Sequence, residues 1–315
     1  YMGYVGRGYT LNNCQGSKVV IDGVEYVQAY NTAADAGLYY VNGEYTIASA
    51  ANLKVFANKV NAGEDYFEGK TVKLANDIDL NNTEWTPIGS AANEHGFMAN
   101  FDGNGKTIKN LKMTELTPDA DKYVYAGLFG VTEGTSTTQQ NSIKNLVIEN
   151  VTIDTEGHIA AAAIAYPYYT IVENVTVKGN VSIKGGDYTS GALAYTRRCV
   201  NAKNITVAGN GGSFIEGNNT VGGVISDIQM NGGLIADYSN FKASGLTISG
   251  TQCVGGISGI ICQQTLDGAT VENVTISCGD HRVGIVSGAD GGEGYVENVT
   301  YSNVTGATDI IGPAY

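Results

Sequence analysis

Three titratable side chains stand together in GDHR (279–282): Asp280, His281 and Arg282. Glycoside hydrolysis takes two carboxylates across the scissile bond, and elimination takes a base with a neighbouring cation. These three are therefore the candidate catalytic residues if the chain is an enzyme, although one isolated loop of this kind reads first as a solvated turn. FDGNG (101–105) alternates acidic and amide oxygens, yet the pattern does not continue into a calcium loop, and its Asn-Gly pair reads as a turn. Cys14, Cys199, Cys253, Cys262 and Cys278 form no CxxC pair and no zinc spacing with the three histidines. An odd count leaves at least one free thiol, and small buried cysteines suit the chain better than a disulfide framework. No metal and no cofactor is expected.

The tyrosines suggest binding instead. Tyr166 and Tyr195 close equivalent segments of the sequence, and Tyr168, Tyr169 and Tyr188 lie nearby, with Arg197 and Arg198 beside them. Flat aromatic faces cover sugar C–H surfaces, and guanidinium groups donate to hydroxyls or to an acidic sugar. These seven are the candidate ligand-binding residues. The alternative is an aromatic stack that merely covers a corner.

Composition narrows the setting. With 43 glycines, 4 prolines and 43% hydrophobic residues, the chain is neither collagen-like nor disordered. No apolar run approaches the ~18 residues of a membrane span, and YMGYVGRGYT lacks the form of an export signal. The chain is expected to begin after such a signal or inside a longer precursor. The net charge is −13, and residues 205–315 hold only Lys242 and Arg282 as basic side chains. Such a surface repels nucleic acid, which is not expected as a partner.

The elements that must position these side chains show themselves as repeats. Seven hexapeptides recur: IKNLKM (108–113), IKNLVI (143–148), VENVTV (172–177), AKNITV (202–207), ASGLTI (243–248), VENVTI (271–276) and VENVTY (296–301). A second family alternates with them: YAGLFG (125–130), AAAIAY (161–166), SGALAY (190–195), VGGVIS (221–226), VGGISG (254–259) and VGIVSG (283–288). Positions one, four and six of the first family are apolar, whereas position five is mostly polar. Asn or Gly at position three enters the left-handed region at least cost, so a bend precedes a short strand. Val274 and Ile276 should face inward and Thr275 outward, a period of two that no helix produces. The spacing predicts a right-handed parallel β-helix of about seven coils, with Asn110, Asn145, Asn174, Asn204, Gly245, Asn273 and Asn298 stacked as one asparagine ladder. The Asn-Val-Thr sequons recur because the coil recurs, not as glycan acceptors.

A parallel stack needs covered ends. SAANLKVFANKVNAG (49–63) reads as one amphipathic helix, with Ser49 as N-cap, Leu53, Phe56 and Val60 on its apolar face and Gly63 as terminator. The expected organisation is a β-rich extension or the end of a preceding domain over 1–45, a helix-containing cap with first strands over 46–107, and the β-helix over 108–315.

Residues 46–111, with KLANDIDL, WTPIG and FDGNGKTIKNL, followed by YAGLFG and the Asn-Val-Thr strands, resemble bacterial cell-surface proteins bearing the GLUG motif on a pectin-lyase-like β-helix. GLFG (127–130) matches that motif directly. The resemblance implies a bacterial protein that is secreted or held at the cell surface; the expected partners are host or dietary glycans or a surface protein. GLUG repeats also accompany metallopeptidases that cleave immunoglobulin A, but the HExxH segment of that activity is absent here. Polygalacturonase and pectate lyase patterns are absent too. The expectation is a non-enzymatic binding, adhesion or display module, with a polysaccharide lyase or glycoside hydrolase as the alternative.

Overall fold

The computed structural model describes residues 18–21, 24–27, 39–41, 44–89, 96–117, 124–155, 159–196, 198, 200–229 and 236–315, the first three stretches by their backbone alone. It is a nearly all-β parallel solenoid of about eight turns with one short helix near the N-terminus. The broadest face is a 13-stranded sheet containing the long strands Asn141–Asp154, Thr170–Lys184, Tyr238–Gly250, Thr265–Cys278 and Tyr295–Thr305. A second face stacks six short strands, among them Tyr125–Ala126, Ile159–Ala160 and Tyr188–Ser190. The third begins with Phe129–Glu133 beside Ile164–Tyr168 and continues through a bridge at Leu193 to Ile225–Gln229. The first hexapeptide family builds the broad face, and the second family builds the other two.

Each long strand is bent twice. In Asn141–Asp154 the side chains of Ile143, Leu146, Ile148, Val151 and Ile153 are all buried, at spacings of three and two. Ordinary strand alternation would give two throughout. The extra residues are Asn145 and Asn150, at φ 56° and 60°, which turn the backbone and drop out of the alternation.

These double bends divide the predicted ladder into two columns. Asn145 donates its side-chain amide to Asp102 at 3.1 Å, Asn174 to Asn145 at 3.0 Å, Asn204 to Asn174 at 2.9 Å and Asn240 to Asn204 at 3.2 Å. In this column Gly268 (φ 89°) stands next to Asn240, and Asn298 beyond it bonds to Asp267. The other column runs from Asp79 through Asn110 and Asn150, and it resumes with Gly245, Asn273 and Asn303. Asn110, Gly245 and Asn273 thus occupy a different corner from Asn145, Asn174, Asn204 and Asn298. The signature apolar-x-Asn-apolar-x-apolar occurs at both corners, five residues apart, so a single copy per coil jumps from one column to the other.

Parallel pairing also starts earlier than the hexapeptides. Glu44–Ile47 pairs with Thr71–Leu74, and that strand pairs with Asn100–Asp102. The helix Ala50–Asn61 lies between the first two. Ser49 accepts from the Asn52 backbone N–H at 3.1 Å, Leu53, Phe56 and Val60 are buried, and Gly63 follows at φ 70°. Burying each such side chain contributes ~1.5–3 kcal/mol. Phe56 joins an aromatic plug, 4.7 Å from Phe67 and 5.6 Å from Phe97, and Phe97 in turn meets Phe129 at 5.0 Å. Before them, Lys18–Ile21 and Val24–Val27 form an antiparallel pair, as do Tyr39–Val41 and Glu44–Ile47.

Candidate functional site

The second and third faces meet over an alanine-rich corner. Ala161, Ala165 and Ala194 are fully buried with Ile159, and Tyr125, Tyr188 and Tyr195 pack on them from outside. Small side chains at the corner bring the two faces close enough for tyrosines from both to touch. Tyr125 and Tyr188 flank Ile159 in register on the second face, while Tyr166 lies in the middle of strand Ile164–Tyr168 on the third.

The rings form one connected patch. Tyr125 stacks on Tyr166 at 5.9 Å with an interplanar angle of 15°. Tyr166 meets Tyr195 at 5.3 Å and Tyr168 at 6.0 Å, Tyr195 meets Tyr188 at 4.3 Å, and Tyr168 meets Tyr169 at 4.7 Å. All six are half-buried. The guanidinium of Arg198 lies 5.7 Å from the centre of the Tyr168 ring, and its Nη1 donates to the Tyr169 hydroxyl at 3.4 Å. Of the seven residues named from sequence, the structure brings together Tyr166, Tyr168, Tyr169, Tyr188, Tyr195 and Arg198, whereas Arg197 lies outside the described residues. Tyr125 is the addition. It opens YAGLFG, the same repeat family that supplies Tyr166 and Tyr195, so the signal was present at the other end of the hexapeptide.

Backbone strain marks the same place. Tyr169 (φ 47°) and Arg198 (φ 54°) are left-handed without being Gly or Asn, and they sit on adjacent turns, the Tyr169 N–H donating to the Arg198 carbonyl at 3.1 Å. Such residues cost of order 1–3 kcal/mol each and collect at binding sites. Here the two bends place a ring and a guanidinium at the edge of the patch. Chemically, the arrangement offers apolar ring faces, phenolic hydroxyls and one fixed cation.

The GDHR loop is arranged differently. Asp280 accepts from the His281 backbone N–H at 2.6 Å and pairs with Arg282 at 3.0 Å. The hydrogen bond from His281 and the charges of both neighbours hold the Asp280 carboxyl below the usual carboxylate range. His281 is 73% exposed, and Arg282 lies over the ring of Tyr315 at 5.1 Å. The carboxylate is thus engaged by its own two neighbours. Among the described residues, no group of three or more His, Cys, Asp or Glu side chains is placed to hold a metal ion.

FDGNG forms a turn, with Asn104 and Gly105 both at positive φ and Asp102 accepting from the Asn104 N–H at 2.8 Å. Cys253, Cys262 and Cys278 are free thiols, and Cys14 and Cys199 lie outside the described residues. Burial pushes the Cys253 thiol up to about 11, which leaves it without thiolate character near neutrality. No helix among the described residues is long and apolar enough to cross a membrane.

No family model matches the sequence. No curated protein matches it either. Among solved structures, the chain is similar to a Bacteroides ovatus protein named a "putative immunoglobulin A1 protease", with a TM-score of 0.57 and 15% identity over 86% of this chain and 84% of that one. At that identity the likeness concerns the solenoid fold alone.

Proposed function

We propose that this chain is a non-catalytic glycan-binding module, displayed outside a bacterial cell on a pectin-lyase-like solenoid of the GLUG type. The single observation that carries the reading is the patch of six half-buried tyrosines over an alanine floor, with Arg198 fixed at its edge. Rings of this kind present contact area at low conformational cost, and a solenoid holds them on a rigid, extended side. GLFG (127–130) and the Asn-Val-Thr strands support the family and the extracellular setting. The protease name of the structural neighbour suggests a different role, but the HExxH segment of the immunoglobulin A metallopeptidases that GLUG repeats accompany is absent from this sequence, so that activity is not carried over.

The test is a glycan array followed by calorimetric titration of the hits, with reducing-end and unsaturated-product assays run on the same polysaccharides. Binding without turnover, weakened at least tenfold by Tyr168→Ala or Tyr195→Ala, is the expected result. Turnover abolished by Asp280→Ala or His281→Ala would replace this reading with the glycan-cleaving one.

A further inference from the structure

A polar cleft of about 240 Å³ opens beside the tyrosine patch, walled by Glu68, Met98, Asn100, Glu133, Gln139 and Gln140. The cleft and the patch are one turn apart. Glu133 is the register partner of Tyr168, and the Gly134 N–H donates to the Tyr168 carbonyl at 2.9 Å. Adjacent parallel strands lie ~4.8 Å apart, so the cleft edge is within one sugar ring of the Tyr168 face. Glycine is required at the join, because a Cβ on Gly134 would collide with the Tyr169 carbonyl.

The walls are built in advance. Residues 134–140 close on themselves through Thr135 N–H to the Gln139 carbonyl at 2.9 Å and Thr135 Oγ1 to Gln139 Oε1 at 2.9 Å. Beneath them runs a buried chain of polar contacts. Thr132 and Thr170 share a hydrogen bond at 2.8 Å, Thr170 donates to Asn141 Oδ1 at 2.7 Å, and Asn141 Nδ2 donates to the Phe97 carbonyl at 3.0 Å. Fully satisfied buried networks of this sort rigidify what stands on them.

The lining alternates acceptors with donors. Glu68 and Glu133 bring carboxylate oxygens to the wall, Glu133 Oε2 already accepting from the Gly96 N–H at 3.2 Å. Asn100 accepts from Ser142 through Oδ1 and Gln139 from Thr135 through its oxygen, so the amide NH2 of each is left to donate. Vicinal sugar hydroxyls donate to the first kind and accept from the second, and Met98 supplies apolar contact. Two carboxylates in a chain of charge −13 disfavour an acidic ring.

Resting on the reading of the patch as a glycan platform, we propose that this cleft is a second subsite for a neutral sugar ring. Cleft and patch together then take a neutral oligosaccharide of at least two units, laid across neighbouring turns of the solenoid.

The experiment titrates the full chain with neutral homo-oligosaccharides of one to four units (gluco-, xylo-, manno- and galacto-series) and with matched oligogalacturonates. Affinity should rise at least tenfold from one unit to two or three in one neutral series, with oligogalacturonates weaker. Glu133→Gln and Gln139→Ala, with unchanged melting temperature, should remove that gain while leaving the weak platform binding that Tyr168→Ala abolishes. Length-independent affinity, or a gain untouched by both cleft variants, overturns the second subsite while the platform stands. A preference for oligogalacturonates overturns it as well. Absence of binding in every series overturns the platform and the subsite together.

Discussion

Asn174 donates its side-chain amide to the carboxamide oxygen of Asn145 one turn before it, at 3.0 Å, while its own oxygen accepts from Asn204. Every such bond in the two columns points the same way along the solenoid, and each column starts on a carboxylate, Asp102 or Asp79, which accepts and does not donate. The amide of Asn110, then the backbone N–H of Asn81, hold the Asp79 carboxyl below its usual range. A chain of aligned amides ending on an anion polarises each link.

The first prediction separates bonding from conformation. Asn174 sits at φ 56°, so Asn174→Ala loses two ladder bonds and adds left-handed strain, whereas Asn174→Gly loses only the bonds. Alanine should cost about 2–3 kcal/mol and glycine about half as much. Urea denaturation of both variants checks this, and equal losses would show that the bend contributes nothing.

That corner also shows where sequence reading succeeds and where it stops. Val274, Ile276 and Thr275 face as their period of two requires, because inward burial is a strong and repeated constraint. The two-corner division escaped because both corners carry one signature. The turns before residue 108 escaped because their bends use Asp-x-Asn turns, with Asn81 bonding back to Asp79 and Asn104 to Asp102, instead of the hexapeptide. Tyr166 and Tyr195 could be placed together from their matching positions at the end of the hexapeptide, but Tyr125 opens its hexapeptide and reaches Tyr166 from the other face. The polar cleft was illegible because Glu68, Asn100 and Glu133 come from three separate turns.

A second prediction concerns acid. Burial pushes the Glu84 carboxyl up, but Lys112 at 2.9 Å, the Thr114 hydroxyl at 2.7 Å and the N–H groups of Thr114 and Glu115 outweigh it and hold it at about 2, against an ordinary 4.5. A lowered folded-state value means that the stabilisation is complete above about pH 4.5 and is lost as the pH falls toward 2. Asp79 acts in the same direction. The melting temperature should therefore fall below pH 4.5, and Glu84→Gln should flatten that slope while lowering the plateau at pH 7. An unchanged slope in the variant would remove Glu84 from this role.

Two glycines give opposite expectations. A Cβ on Gly255 would collide with the Ser258 carbonyl and crowd Gly288 N, both backbone atoms that cannot turn aside, while one on Gly211 meets nothing within 4 Å. Gly255→Ala should cost about 3 kcal/mol or prevent folding, as overpacking does. Gly211→Ala should be neutral or stabilise by up to ~1 kcal/mol through the unfolded chain. Thermal melts of the two proteins decide it, and a tolerated Gly255→Ala would mean that the turns can separate.

The last prediction sets stability against function at one residue. Arg198 holds φ 54° with an exposed side chain, and its carbonyl, which glycine keeps, is what Tyr169 N–H bonds. Arg198→Gly therefore relieves backbone strain while removing the guanidinium from Tyr168. Stability should rise by ~1 kcal/mol, which for a chain of this size is a few degrees in melting temperature. Glycan affinity should fall severalfold, and Arg198→Lys should recover only part of it, since an ammonium lacks the planar group that lies over the Tyr168 ring. A variant that loses stability and keeps its affinity would mean that the guanidinium supports the corner and plays no part in the ligand.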